Sequence, residues 1–133
     1  MTPDMGGALK GVRVLEVCQI MAGPFCGALL GDMGADVIKV EKPSGGDDAR
    51  RMGRYFDGGE GHGFMNLNRN KRSLAIDLKS EKGRALLFEL AEGADALIEN
   101  FRPGTMDRLG LGYEDFRKVN PGLIYASISG YGH

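Results

Sequence analysis

The sequence is poor in the residues that mark several classes of protein. Its 133 residues contain no Trp, only two Cys and two His, and its 17 Lys and Arg against 18 Asp and Glu leave a net charge of -1. So balanced a charge argues against a general binder of nucleic acid or membrane surfaces. The longest apolar stretches are too short to span a membrane, and the start shows no signal-peptide pattern. The composition predicts a cytoplasmic protein of one domain.

The few Cys and His residues form no recognisable metal or catalytic set. Cys18 and Cys26 lie in apolar surroundings without CxxC spacing, which favours reduced core residues over a catalytic thiol, since no base partner is visible. His62 lies in a glycine-rich stretch, and His133 is the last residue. We therefore expect no metal site.

Alternating apolar strands and helical segments make up the rest of the chain. Strands are predicted at Val12–Val17, Asp36–Glu41, 73–78, 95–101 and in GLIYASISGYG, and the 22 glycines indicate many turns. Helices are predicted from Pro24 to Gly34, after a Ser80 N-cap, and in two short segments near residues 105 and 115, whereas residues 42–63 read as a long loop. This alternation predicts an α/β fold with an open, mostly parallel sheet and helices on both faces.

Polar and cationic residues follow the predicted strands, where open parallel sheets bind ligands. Because Lys and Arg hold phosphate oxygens, Lys42, Lys79 and Arg108 are candidate ligand residues. Asn100 beside Phe101 either clamps a planar ring or caps the backbone. The sequence has no GxxxxGK[ST] motif, and AGPFCG is not GxGxxG, so we expect no nicotinamide cofactor. We interpret four other arginines as solvated surface charges: Arg50, Arg51, Arg54 and Arg84.

Five segments together resemble the N-terminal part of the family III CoA-transferases, a family that includes the α-methylacyl-CoA racemases. They are LKGVRVLEV…AGP, LGDMGADVIKVEKPSGGDDAR, LNRNKRSLAIDLKS, ADALIENFRPGTMDRLGLGYE and NPGLIYASISGYG. The resemblance implies that residues 1–133 are a Rossmann-like, N-terminal CoA-binding domain. It places Ile20, Met21 and Ala22 along the pantetheine and thioester, and Lys42, Lys79 and Arg108 near the phosphates. It places Ile76, Asn100 and Phe101 along the adenine and ribose.

The resemblance also implies what the chain lacks. In the family the Asp that attacks the thioester lies downstream of the SISGYG strand, so we expect no catalytic residue before His133 and interpret the chain as an inactive N-terminal portion. Asp32, Asp36 and Asp77 match structural positions. Asn70, Lys71 and Arg72 are expected to hold structure or a partner subunit.

Three functions remain open at this stage. The first is part of a transferase that moves CoA from an acyl-CoA to a carboxylic acid, and the family's interlocked homodimers imply a second subunit. The second is part of a racemase acting by proton transfer, and the third is a stand-alone, non-catalytic CoA-binding module. Met21 stands where the formate and oxalate enzymes have Gln, which disfavours an oxalate acceptor.

Overall fold

Strands and helices alternate along the chain. The computed structural model describes residues 6–54 and 59–132. The strands are β1 (Arg13–Val17), β2 (Asp36–Glu41), β3 (Lys71–Ala75), β4 (Ala96–Glu99) and β5 (Ile124–Ser127). The helices are α1 (Ala22–Asp32), α2 (His62–Leu67), α3 (Glu81–Glu92), α4 (Thr105–Arg108) and α5 (Tyr113–Val119), and Asp48–Arg51 forms a short 3-10 helix.

All five strands join one parallel sheet in the order β3-β2-β1-β4-β5. Val14 on the central strand pairs with Val37 of β2 on one side and with Ala96 of β4 on the other. After β1 the chain adds strands in one direction, and at β4 it returns to the opposite side of β1. The carboxyl ends of β1 and β4 therefore flank the switch point, where open α/β sheets form a crevice.

Helices cover both faces of the sheet, as predicted. Leu15 belongs to a buried cluster with Leu87 of α3 and Phe116 of α5. Val14, the preceding residue on β1, belongs to a second cluster against which Leu30 of α1 packs. Neighbouring strand residues thus face opposite layers, and each buried aliphatic or aromatic side chain contributes about 1.5–3 kcal/mol.

Local signals explain several element boundaries. The Ser80 hydroxyl accepts a hydrogen bond from the Gly83 amide at 3.0 Å, which confirms the predicted cap of α3. The second strand occupies Asp36–Glu41 as predicted, and the first, fourth and fifth strands lie within their predicted ranges. Helix α1 begins two residues before Pro24, which occupies the first turn, where its missing amide proton costs nothing. Within the described residues no helix is both long and apolar enough to cross a membrane.

Three predictions about residues 42–78 were wrong. Strand β3 begins at Lys71 rather than at residue 73 and ends at Ala75, because Lys71 and Arg72 pair with β2. The predicted loop 42–63 contains the 3-10 helix and the start of α2. Arg50 is not a solvated charge: it donates two hydrogen bonds to Glu41, at 2.8 and 2.7 Å, and lies 3.9 Å above the Phe64 ring.

Candidate functional site

A cavity of about 610 Å³ lies beyond the carboxyl ends of β1 and β4, at the switch point of the sheet. This switch-point cavity has a size typical of small-molecule sites. It brings together five of the nine predicted binding residues, two from the loop after β1, two from the loop after β4 and one from the start of α1. Its lining residues are Gln19, Ile20, Met21, Ala22, Asp48, Asn100, Phe101, Arg102 and Thr105.

One wall of the cavity is the 19–22 turn, which contains a strained residue. Ile20 has a φ of 67°, in the left-handed region that β-branched residues avoid. Such strain costs about 1–3 kcal/mol and persists only where the surroundings hold the residue in place. The Ile20 amide donates to both oxygens of Asp47, at 3.0 and 3.2 Å. The turn therefore keeps a backbone conformation that is unfavourable for isoleucine, and contacts elsewhere must offset this cost in free energy.

Asn100 holds the same turn from the other side. Its side-chain carbonyl accepts from the Gln19 amide at 2.9 Å, and its side-chain amide donates to the Gln19 carbonyl at 2.8 Å. This two-bond pairing supports the interpretation of Asn100 as a backbone cap. Phe101 follows it, half-buried against the core and lining the cavity. The loops after β1 and β4 are thus fixed to each other across the switch point.

Four charged side chains lie buried beneath the turn: Glu16, Lys39, Asp47 and Lys71. The Lys39 ammonium lies 3.0 Å from Glu16 Oε1 and 2.9 Å from Asp47 Oδ2, and it donates to the Cys18 carbonyl at 3.1 Å. The Lys71 ammonium lies 2.6 Å from Glu16 Oε2 and donates to the Pro24 carbonyl at 2.7 Å. We call this set the buried charge cluster. Its two acids and two bases balance, as burial requires.

Burial and ion pairing act differently on the two lysines of the cluster. Burial alone would lower the pKa of Lys39, but Glu16 and Asp47 outweigh it and raise that pKa above its ordinary value. For Lys71, burial dominates over Glu16 and lowers the pKa. Lys39, between two carboxylates, is the more firmly charged of the two.

The other four predicted binding residues lie outside the cavity lining. The Lys42 ammonium lies 2.7 Å from the carboxylate of Asp48, and Asp48 lines the cavity. Lys42, a predicted phosphate ligand, is thus connected to the cavity through Asp48. Arg108 donates to the Thr105 hydroxyl at 3.0 Å, and Thr105 lines the cavity. Lys79 follows β3, two strands away from β1. The Ile76 side chain, 4% exposed, packs in the core.

The basic cluster at residues 69–72 has partners within the chain. The side-chain amide of Asn70 donates to Asp32 at 2.9 Å, and Arg72 pairs with Asp36 at 2.6 Å. Together with the Lys71 contacts, these bonds support the expectation that the segment holds structure. Asp32 and Asp36 likewise serve as structural partners.

The remaining candidate chemical groups occupy structural positions. Both cysteines are free, and burial raises the pKa of the Cys18 thiol well above its ordinary range, so this thiol stays protonated. His62 begins α2, and its Nδ1 lies 3.1 Å from the Arg54 amide nitrogen. His133 lies outside the described residues.

Sequence reasoning did not identify five residues of this region: Gln19, Asp47, Asp48, Arg102 and Thr105. Arg102 also lines a second cavity, of about 370 Å³, together with Glu99 and Tyr125. Its position directly after the Asn100–Phe101 pair was a usable signal, as was the position of Thr105 three residues further on. Nothing in GGDDARR separates buried Asp47 from exposed Asp48.

Comparisons with known proteins agree with this architecture. The family described as CoA-transferase family III matches residues 9–133. The chain is 48% identical over 124 residues to succinyl-CoA:glutarate CoA-transferase from Mus musculus, covering 93% of this chain and 28% of that protein. It is 49% identical over 124 residues to succinyl-CoA–D-citramalate CoA-transferase from Chloroflexus aurantiacus, covering 93% of this chain and 31% of that protein.

A solved structure extends the comparison to three dimensions. The crystal structure of a CAIB/BAIF family protein from Brucella suis superposes with a TM-score of 0.90 at 45% identity. The match covers 96% of this chain and 35% of that one. The chain therefore spans about a third of the length of the proteins that it matches.

Proposed function

The chain belongs to CoA-transferase family III, and from this premise we propose that it binds the CoA part of an acyl-CoA in the switch-point cavity. The observation that carries the proposal is the convergence of Ile20, Met21, Ala22, Asn100 and Phe101 on one cavity. The 19–22 turn would contact the pantetheine and thioester. Asn100 and Phe101 would lie along the adenine and ribose, on the opposite wall.

Cations outside the cavity lining would bind the phosphates. Arg108 reaches the rim through Thr105, and Lys42 and Lys79 follow the ends of β2 and β3. Charge-assisted hydrogen bonds from lysine and arginine are the ordinary means of holding phosphate oxygens. To bind a phosphate, Lys42 would have to release its partner Asp48. Ile76 is buried, so it would support the nucleotide site from within the core and not by direct contact.

The reaction that we propose is transfer of CoA from an acyl-CoA donor to a carboxylic acid. The two curated relatives described above are both named as transferases that use succinyl-CoA, which favours this reaction over racemisation and makes succinyl-CoA a candidate donor. We assign no nucleophile to this chain. Its part in the reaction would be to bind and orient the thioester for a carboxylate supplied by other residues.

Calorimetric titration of CoA into the chain tests the binding proposal. Lys79→Ala and Arg108→Ala should each weaken binding by about fivefold at low salt, because each removes one cation near a phosphate. Lys118→Ala is the matched control, since α5 ends at Val119, towards the amino ends of the strands. Failure of the unsubstituted chain to bind, or an equal loss in Lys118→Ala, would contradict the proposal.

We further propose a homodimer and a cytoplasmic location. Exposed apolar side chains on the edge strand β5 and on α1 support association, among them Ile124, 67% exposed, and Phe25, 51% exposed. Free cysteines are typical of reducing compartments. Light scattering across a concentration series should show a concentration-dependent increase in mass, and a monomer at every concentration would contradict association.

A further inference from the structure

One carboxylate directly contacts the strained backbone of Ile20. Isoleucine does not hold a φ of 67° by itself, and its amide donates to both oxygens of Asp47. Asn100 pairs instead with the backbone of Gln19, the preceding residue: it accepts a hydrogen bond from the Gln19 amide and donates one to the Gln19 carbonyl. Asp47 is therefore the side chain that acts directly on the strained residue.

Asp47 is itself only 3% exposed, and both its carboxylate and its backbone amide have partners. Its Oδ1 accepts from the Ala49 amide at 2.9 Å, and its Oδ2 lies 2.9 Å from the Lys39 ammonium. Its own amide donates to Glu41 Oε2 at 2.8 Å. The backbone at Gly46 has a φ of 63°, which turns the loop after β2 back towards the sheet.

Ion pairs connect Asp47 to the other members of the buried charge cluster. Lys39 joins Asp47 to Glu16, and Lys71 joins Glu16 to the start of α1 through the Pro24 carbonyl. An unbroken series of contacts thus links the start of α1, through charged side chains of the sheet, to the Ile20 amide. A purely structural ion cluster has no need to end on a strained residue in a cavity wall.

We propose that Asp47 is a positioning residue, whose carboxylate locks Ile20 in the left-handed conformation and so shapes the wall of the switch-point cavity that receives an acyl thioester. The proposal rests on the proposed function, since the thioester is the ligand that this wall would contact. Ala22 is the first residue of α1, so the conformation of residue 20 also sets where α1 begins beside the cavity. Asp47 is not among the residues that line the cavity, so it would act through the backbone of Ile20.

A double-mutant cycle tests the proposal, with acetyl-CoA as the calorimetric probe. Asp47→Asn should weaken binding by about tenfold, because the turn relaxes away from the left-handed region. Glycine adopts positive φ without strain, so Asp47→Asn should have little further effect, within about twofold, in an Ile20→Gly background. Ile20→Ala separates loss of the side chain from the gain in backbone freedom.

The matched control is Asp95→Asn, since Asp95 also accepts a hydrogen bond from a backbone amide, that of Arg13 at 2.8 Å, but at the amino-terminal ends of β1 and β4, away from the cavity. Its loss should lower the melting temperature and leave acetyl-CoA affinity unchanged. If Asp47→Asn weakens binding equally with Ile or Gly at position 20, Asp47 acts through general stability and the proposal is wrong. Unchanged affinity in Asp47→Asn would also overturn it, while leaving the proposed function intact.

Hydrogen exchange in the unsubstituted chain tests the same claim without any variant, which covers the case of a variant that fails to fold. The Ile20 amide should exchange at least about tenfold more slowly than in an unstructured peptide, because Asp47 holds it. Exchange at the unstructured rate would overturn the proposal. Absence of acetyl-CoA binding by the unsubstituted chain would instead contradict the proposed function, and the exchange rate would still decide whether Asp47 holds the turn.

Discussion

Lys71 and Arg72 are neighbours on β3, yet they enter two very different groups of charges. The Lys71 side chain is 2% exposed and joins the buried charge cluster beneath the cavity wall. Arg72 is 58% exposed and, with Arg13, pairs with Asp36 on the surface. The side chains of a strand alternate between faces, so one step along the chain separates interior from solvent.

Burial, rather than pairing itself, decides how much an ion pair matters for stability. Exposed pairs are screened by water and contribute about 0–1 kcal/mol. Removing one member of a buried pair leaves an uncompensated charge and costs about 3–5 kcal/mol. The exposed group around Asp36 therefore contributes little to stability, whereas the buried charge cluster can fix the geometry of the turn above it.

Substituting these two neighbours separately gives the largest expected difference. Lys71→Ala should lower the free energy of unfolding by about 3–5 kcal/mol, because Glu16 would keep only Lys39 as a partner. Arg72→Ala should lower it by less than about 1 kcal/mol. Urea denaturation followed by circular dichroism measures both. Equal losses would show that burial does not separate the two groups.

Glycine substitutions in two helices test how closely the chain packs around the buried charge cluster. A Cβ at Gly27 of α1 would overlap Glu16 Oε2, so Gly27→Ala should destabilise the fold by about 1–3 kcal/mol. A Cβ at Gly63 of α2 would meet nothing within 4 Å, and Gly63→Ala should stabilise the fold by about 0.5–1 kcal/mol. Thermal melting distinguishes the signs, and a stabilising Gly27→Ala would refute the close packing.

The contribution of Glu41 to stability should depend on pH. Burial would raise its pKa, but hydrogen bonds from Arg50, the Asp47 amide and Ser73 outweigh burial and lower it from 4.5 to about 2. A lowered folded-state pKa gives stability that is present above pH 4.5 and is lost as the pH falls towards 2. Glu41→Gln should therefore cost about 1–2 kcal/mol at pH 7, with the difference from the unsubstituted chain shrinking across that window in acid denaturation. A pH-independent difference would contradict this assignment.

The smallest expected effect concerns the exposed acid in the cavity lining. Asp48 pairs with Lys42 and Arg51. Asp48→Asn should release Lys42 for phosphate and tighten CoA binding by no more than about fivefold at low salt, as expected for one solvated charge near an anion. Calorimetry at low and high salt measures the change. Weaker binding would indicate that Asp48 itself orients the ligand.

Much of the fold was predictable because apolar periodicity reports burial. Asp36–Glu41, the Ser80 cap and the alternation of strands and helices all follow from local signals. The start of β3 did not, because the rule that places Lys and Arg in solvent excludes Lys71 from a strand. The same rule hid Arg50, whose burial depends on Glu41, nine residues away in the sequence.

The site was predictable only in part, for a similar reason. Residues just after strands can be located from the sequence, and five of them meet in the cavity. The left-handed Ile20 could not be anticipated, since that conformation is unfavourable for isoleucine and the carboxylate that binds its amide, Asp47, lies 27 residues away in the sequence. Local reasoning fails where distant partners offset a local cost.

The strand order β3-β2-β1-β4-β5 has a consequence for the growing chain. The central strand β1 is the first to be synthesised, and each later strand adds to an edge that already exists: β2 to β1, β3 to β2, β4 to the free side of β1, and β5 to β4. None of these five described strands waits for a neighbour that has yet to emerge from the ribosome. The sheet can therefore grow outwards in the order of translation, with α1 and α3 available to cover its two faces before β4 arrives.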